Sequence, residues 1–152
     1  MKPFIDIRYD IFSDDEINKL LMGFYLDENH KKKRTYRDTT VLYLPKNDLN
    51  WLNDKYSPYI QNNVIDWAQI VKWYDGSFQN LHIDNRENYT TLSSITFLNH
   101  NFDGGETYFT EGTVVRPQKN KTLFFSGVEL IHGVKKVTNG ERYTIAAWYK
   151  KK

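Results

Sequence analysis

Apolar residues recur at helical spacing only in the first part of the chain. Ile17, Leu20, Leu21 and Phe24 fall three and four apart behind Ser13-Asp14-Asp15-Glu16, a capping-box pattern in which Ser13 and Glu16 satisfy free amides reciprocally. A second stripe, Leu49, Leu52, Tyr56, Tyr59, Ile60 and Val64, predicts a helix beginning near Asp48. Pro58 falls inside it and is expected to kink it or divide it in two. From Trp67 onward the texture changes. Short runs rich in Val, Ile, Thr and aromatics predict strands near 67–74, 80–84, 91–99, 106–109, 113–116, 121–126, 129–137 and 142–149. Turn residues gather at Asn101-Phe102-Asp103-Gly104-Gly105, where the two glycines suit a turn or bulge, and at Thr138-Asn139-Gly140-Glu141. No linker, repeat or low-complexity tract interrupts the pattern. The expectation is one mostly β domain with N-terminal helices, helical support over about 1–66 and a sandwich or jelly-roll core over about 67–149.

Composition narrows the chemistry. A chain of 152 residues buries a core without staples. Its 11 Tyr, 9 Phe and 4 Trp suit strands and pocket walls. The absence of cysteine excludes disulfides, zinc–thiolate sites and iron–sulfur clusters, so any metal must be held by His, Asp or Glu. A net charge of +2 does not imply nucleic acid. The basic runs Lys31-Lys32-Lys33-Arg34 and Lys150-Lys151-Lys152 read as a solvated loop and tail. No apolar run approaches the roughly 18 residues that span a bilayer. Asp6 comes too early for a signal peptide, so a cytoplasmic location without membrane contact is the default.

Three candidates remain. His82-Ile83-Asp84, on a strand, would present an imidazole and a carboxylate on one face, although a surface His beside an Asp reads the same way. His132 sits in the apolar stretch Leu130-Ile131-His132-Gly133-Val134, where a lone His is more often a hydrogen-bonded core residue than a ligand. Two imidazoles and one carboxylate together make the set that leaves positions open on Fe(II). Arg142 follows His132 across the Asn139-Gly140 turn and is expected to start the neighbouring antiparallel strand, with Thr144 on its face. A guanidinium beside a hydroxyl suits a carboxylate held in a dry pocket.

From about Val71 to Tyr149 the chain resembles the 2-oxoglutarate and Fe(II)-dependent dioxygenases, most closely the prolyl 4-hydroxylase-like branch. The resemblance is carried by Trp73-Tyr74-Asp75-Gly76 leading into His82-Ile83-Asp84, Thr96-Phe97-Leu98-Asn99, and Phe102-Asp103-Gly104-Gly105-Glu106-Thr107. Val115-Arg116-Pro117, Leu123-Phe124-Phe125, His132-Gly133-Val134, Arg142-Tyr143-Thr144 and Trp148 complete the ordered set. It implies a double-stranded β-helix, the cupin-like jelly roll, with His82, Asp84 and His132 as iron ligands and Arg142 on the distal carboxylate of 2-oxoglutarate. It also implies Tyr74 in the co-substrate pocket and Trp148 beside the metal.

The resemblance further implies dioxygen as co-substrate, ascorbate as reductant, and hydroxylation of a prolyl residue in a peptide or protein with release of succinate and CO2. Phe97 departs from the pattern, because close relatives carry a tyrosine there whose hydroxyl reaches the distal carboxylate. Thr144 or Thr107 must then supply that donor, or Arg142 must suffice. The run Lys31–Arg37 reads as a loop, either simply solvated or, as the resemblance allows, folding over the substrate, while His30 and His100 read as solvent-exposed. Competing readings are an oxygenase of a free amino acid or nucleobase and a non-catalytic binding module on the same scaffold. Base demethylation is disfavoured because the next basic residue after Arg142 is Lys150.

Overall fold

Ser13 closes the capping box that its position predicts. Its hydroxyl accepts from the Glu16 amide at 3.1 Å, and the Glu16 carboxylate accepts from the Ser13 amide at 2.8 Å, opening α1 (Asp14–Leu26). The coordinates are a computed structural model that describes residues 4–35, 37–84 and 88–152, with the backbone alone for 31–35, 37 and 38. The second helix, α2, runs Lys46–Ile60, and Val64 belongs to the strand that follows it. Pro58 does not divide α2. The Asp54 carbonyl that Pro58 cannot bond receives the Ser57 hydroxyl at 2.9 Å, so the acceptor stays satisfied and the last turn holds.

The strands, in chain order, are β1 (Ile5–Tyr9), β2 (Lys31–Thr35), β3 (Arg37–Tyr43), β4 (Asn63–Trp73), β5 (Gln79–His82), β6 (Leu92–Phe97) and β7 (Asp103–Gly104). β8 (Thr107–Phe109), β9 (Val114–Val115), β10 (Lys121–Phe125), β11 (His132–Val134), β12 (Val137–Thr138) and β13 (Arg142–Lys151) complete them. A large sheet of order β1-β10-β6-β13-β4-β3-β2 faces a small sheet of order β5-β11-β8-β9, and β12 pairs with β7 at one corner. This is the double-stranded β-helix that the resemblance implied.

Three differences from the sequence reading matter. The stretch taken as helical support contains β1, β2, β3 and the start of β4, which complete the large sheet rather than cover it. The segment 129–137 touches two strands in two sheets, because the chain leaves the small sheet after Val134 and pairs Val137–Thr138 with β7 instead. The backbone of Lys31–Arg37 forms β2 and the first residue of β3, an edge hairpin of the large sheet. Its lysines hid it, although lysine on an edge strand blunts unwanted pairing. Tyr36 and the side chains of that run lie outside the described residues, and with them the expected lid contacts.

Alternation along two strands divides the core. On β13, Tyr143, Ile145, Ala147 and Tyr149 pack toward the helices, joined by Ala68 and Ile70 of β4 and by Ile17, Phe24, Leu52, Tyr56 and Ile60. The other parity, Arg142, Thr144, Ala146 and Trp148 of β13 with Trp67, Gln69, Val71 and Trp73 of β4, lines a cavity between the sheets. Phe97, Phe109, Val115, Leu123 and Phe125 close the sandwich at its other end. No helix among the described residues is long and apolar enough to cross a membrane.

The fully buried Tyr56 ties helix to sheet by hydrogen bonding Thr96, which is 2.7 Å from the hydroxyl of Thr122. Tyr56→Phe removes one buried hydrogen bond while Thr96 and Thr122 still satisfy each other. It is expected to cost about 1 kcal/mol of stability in urea denaturation.

Candidate active site

The register of the small sheet brings the histidines together. His82, the last residue of β5, pairs directly with His132, the first of β11, and their ring centroids lie 4.4 Å apart. Each Nδ1 donates to a nearby carbonyl, that of Asn80 for His82 at 2.9 Å and of Leu130 for His132 at 2.7 Å. These bonds orient the rings and reserve each Nε2 for a ligand. Asp84 joins them differently from the sequence reading. β5 ends at His82, and Asp84 is held in the following loop by its own amide, which donates to the Gly127 carbonyl at 2.8 Å. Its Oδ1 lies 3.4 Å from both Nε2 atoms, and its Oδ2 accepts from the Ser93 hydroxyl at 2.7 Å. Gly127 is required there, since a Cβ would stand 2.4 Å from Asp84 Oδ2 and 2.3 Å from Ser93 Oγ.

Electrostatics follow from this packing. Burial alone would raise the Asp84 pKa, but hydrogen bonds from His132 and His82, the charge on His132 and the Ser93 hydroxyl outweigh it. They hold the carboxyl well below its ordinary range. Burial disfavours charge on His82, but the Asp84 hydrogen bond, the Asn80 carbonyl and the Asp84 charge reverse that and raise its pKa. One ligand atom from each of the three residues lies within 4.8 Å of the others. Two imidazole nitrogens and one carboxylate oxygen on one side of a site are the donor set that fits Fe(II) with positions left over.

Arg142 faces this cluster across the sandwich. The expectation that its strand neighbours that of His132 is corrected. β13 pairs with β4 and β6 in the large sheet, and β11 lies in the small one. Only 1% exposed, Arg142 donates from Nε to the Gly105 carbonyl at 2.9 Å and from Nη2 to Thr107 Oγ1 at 3.3 Å. Gly105 has φ +69, and a Cβ on it would approach Arg142 Cδ to 3.1 Å. The guanidinium lies between two rings, 5.0 Å from the Trp73 centroid and 5.2 Å from that of Phe97. Burial draws its pKa down to about 9, which leaves it a cation at neutral pH. Among the described residues no carboxylate pairs with it.

The other expected site residues divide. Thr144 and Trp148 line the cavity of about 280 Å3, and Trp148 stacks on Trp67 at 4.0 Å. Phe97 is buried against Arg142 and brings no hydroxyl. Tyr74 is corrected: it has the opposite parity to Trp73 on leaving β4, hydrogen bonds Thr40 at 2.8 Å and lies under Lys72, outside the cavity. His30 is also corrected, being half-buried, stacked on Phe24 at 4.3 Å and hydrogen-bonded to the Phe24 carbonyl. His100 is exposed as expected and accepts from the Lys119 amide. Ser93, Trp67, Gln69 and Trp73 were missed. Alternation ties the last three together as a set, but only the register with β13 shows that the set faces inward.

A double-stranded β-helix with a two-histidine, one-carboxylate cluster on one sheet and a buried arginine on the other has the architecture of a metal-dependent oxygenase. Residues 68–150 match the 2OG-Fe(II) oxygenase superfamily, more than half of the chain, and the chain belongs to that superfamily. Membership implies iron(II) and 2-oxoglutarate. The chain is 50% identical to prolyl 3-hydroxylase 1 of Homo sapiens over 64 residues, 38% of this chain and 9% of that protein. Prolyl 3-hydroxylase 2 of Mus musculus is 42% identical over 64 residues, with the same shares of 38% and 9%. The chain thus spans only about 9% of the length of these curated relatives.

Among solved structures, a prolyl-4-hydroxylase of Pseudomonas putida superposes with a TM-score of 0.77 at 16% identity, over 97% of this chain and 92% of that one. A prolyl hydroxylase of Trichoplax adhaerens, in complex with a hypoxia inducible factor oxygen degradation domain peptide fragment, gives 0.76 at 15% identity, over 97% and 83%. At these identities the structural likeness establishes the fold.

His82→Ala and His132→Ala are expected to abolish stable divalent-metal binding in anaerobic calorimetric titration. Ser93→Ala, which frees Asp84 to turn, should weaken it about tenfold or more. Wild-type affinity in either histidine variant would remove the cluster from consideration.

Proposed function

We propose that the chain is an iron(II)- and 2-oxoglutarate-dependent dioxygenase that hydroxylates a prolyl residue in a peptide or protein, releasing succinate and CO2. One observation carries the reading: the His82–Asp84–His132 cluster shares a cavity with a buried guanidinium that has no carboxylate partner among the described residues. An unpaired buried cation is costly to a fold. A dicarboxylate that reaches from the cluster to Arg142 relieves that cost and uses residues at both walls of the cavity.

His82, Asp84 and His132 would hold the iron, which together with 2-oxoglutarate and dioxygen supplies the oxidation of a C–H bond. The remaining work belongs to the chain. The Nδ1 bonds to Asn80 and Leu130 hold the two rings in one orientation, and Ser93 prevents the Asp84 carboxylate from rotating. Arg142 anchors the distal carboxylate with Thr144 beside it, while Val71, Val134 and Phe125 exclude water from between the two ends. The stacked Trp67–Trp148 pair offers a flat apolar wall for a substrate ring. Ascorbate is included as the external reductant.

A prolyl 4-hydroxylase-like reaction is the first reading. Oxidation at C3 is the second, favoured by the 50% local identity to a prolyl 3-hydroxylase. An oxygenase of a free amino acid or another small molecule would use the same metal cluster and the same Arg142. A non-catalytic module has no use for a buried lone cation opposite three converging ligands.

Arg142→Ala should raise the apparent KM for 2-oxoglutarate about 30-fold or more, a loss of roughly 2 kcal/mol or above for a desolvated charge-assisted pair. It should also abolish the rise in Tm that 2-oxoglutarate gives the wild-type protein. An unchanged KM would place the anchor elsewhere.

The substrate reading is tested by incubating a proline-containing peptide library with the protein, Fe(II), 2-oxoglutarate and ascorbate. Mass spectrometry should show one added oxygen on prolyl residues that depends on His82, and amino-acid analysis then separates 3- from 4-hydroxyproline. Succinate release without any modified peptide would redirect the search to small molecules.

A further inference from the structure

Two donor groups meet at the Arg142 end of the cavity, a guanidinium that already donates to Gly105 and Thr107 and an indole that donates to nothing. Trp73 stands directly across from it in the β13–β4 register, is 7% exposed, lines the cavity, and has an indole Nε1 with no hydrogen-bond partner. An indole nitrogen is only ever a donor, so the missing partner must be an acceptor. Buried donors left without one are rare enough to require a reason. Here the guanidinium lies over the same ring at 5.0 Å, so both groups seek electron-rich atoms in one small volume. On the other side of the guanidinium is Phe97, which offers nothing polar. Thr107 Oγ1 already serves Arg142 as an acceptor.

We propose that the Trp73 Nε1–H donates to the distal carboxylate of 2-oxoglutarate, so that two donors from neighbouring strands, the Trp73 indole and the Arg142 guanidinium, grip that end. The assignment rests on reading the cavity as the 2-oxoglutarate site. It replaces the phenolic donor that Phe97 cannot be with an indole from β4. Because both groups only donate, this end of the cavity selects a terminus that only accepts, a carboxylate rather than an amide or an ammonium.

The test is anaerobic calorimetry on the full chain loaded with Mn(II) in place of iron. Trp73→Phe keeps an aromatic ring beside Arg142 and removes the N–H. Its Kd for 2-oxoglutarate is expected to rise about tenfold, the effect of losing a hydrogen bond to a charged group. Its Kd for Mn(II), and for pyruvate, a 2-oxo acid without a distal carboxylate, should match wild type. Equal 2-oxoglutarate affinity in both proteins overturns the inference. So does a parallel loss for 2-oxoglutarate, pyruvate and Mn(II), which would assign Trp73 to packing alone. Failure of the wild-type protein to bind 2-oxoglutarate would overturn the co-substrate reading itself, and this inference with it.

Discussion

The two-residue alternation of β13 and β4, held in register over most of their length, is the constraint on which the rest depends. One parity, with Ile145, Ala147, Tyr149, Ala68 and Ile70, is buried under α1 and α2 and anchors the strands. The other parity is thereby free to carry groups that a core would reject: a guanidinium, a glutamine, a threonine and three indoles. Burial of the first set stabilises exposure of the second to a cavity. A slip of one residue would exchange them and put Arg142 beneath a helix. Such a fold has little freedom in where it puts Arg142.

The small sheet carries the opposite half of the chemistry with less material. The direct pairing of His82 with His132 spans only two short strands, so the geometry depends on local supports. Asp84 is the hub of these. It reaches both imidazoles, the Ser93 hydroxyl of the large sheet and, through its backbone, the Gly127 carbonyl. Through Ser93 the metal cluster is tied to the large sheet, whose β13 bears Arg142. The two ends of the site are therefore parts of one rigid frame, and their separation is set by the sandwich rather than by a loop.

Much of this was legible before the fold was known. The capping box at Ser13, the strand-rich texture after Trp67 and the ligand set left by a chain without cysteine all rest on local chemistry or composition. Local rules failed where pairing overrides propensity. The lysine-rich β2 became an edge strand, Val64 left the helix for β4, and 129–137 split between two sheets. Tyr74 is the clearest case in the site. Tyrosine and its neighbour Trp73 are equally aromatic, and nothing in the dipeptide says which of them faces inward.

The sequence by itself determined which groups are present: two imidazoles, a carboxylate and an arginine, spaced so that short strands present them, and a phenylalanine where a hydroxyl was expected. Only the tertiary structure decided that Arg142 confronts the metal cluster across a sandwich instead of along one sheet, and that Trp73, not Tyr74, lines the cavity and carries an unpaired donor. The reason is that residue type and spacing are encoded locally. Inward or outward facing depends instead on which strands pair and in which register, a choice made by the burial of the whole hydrophobic set at once.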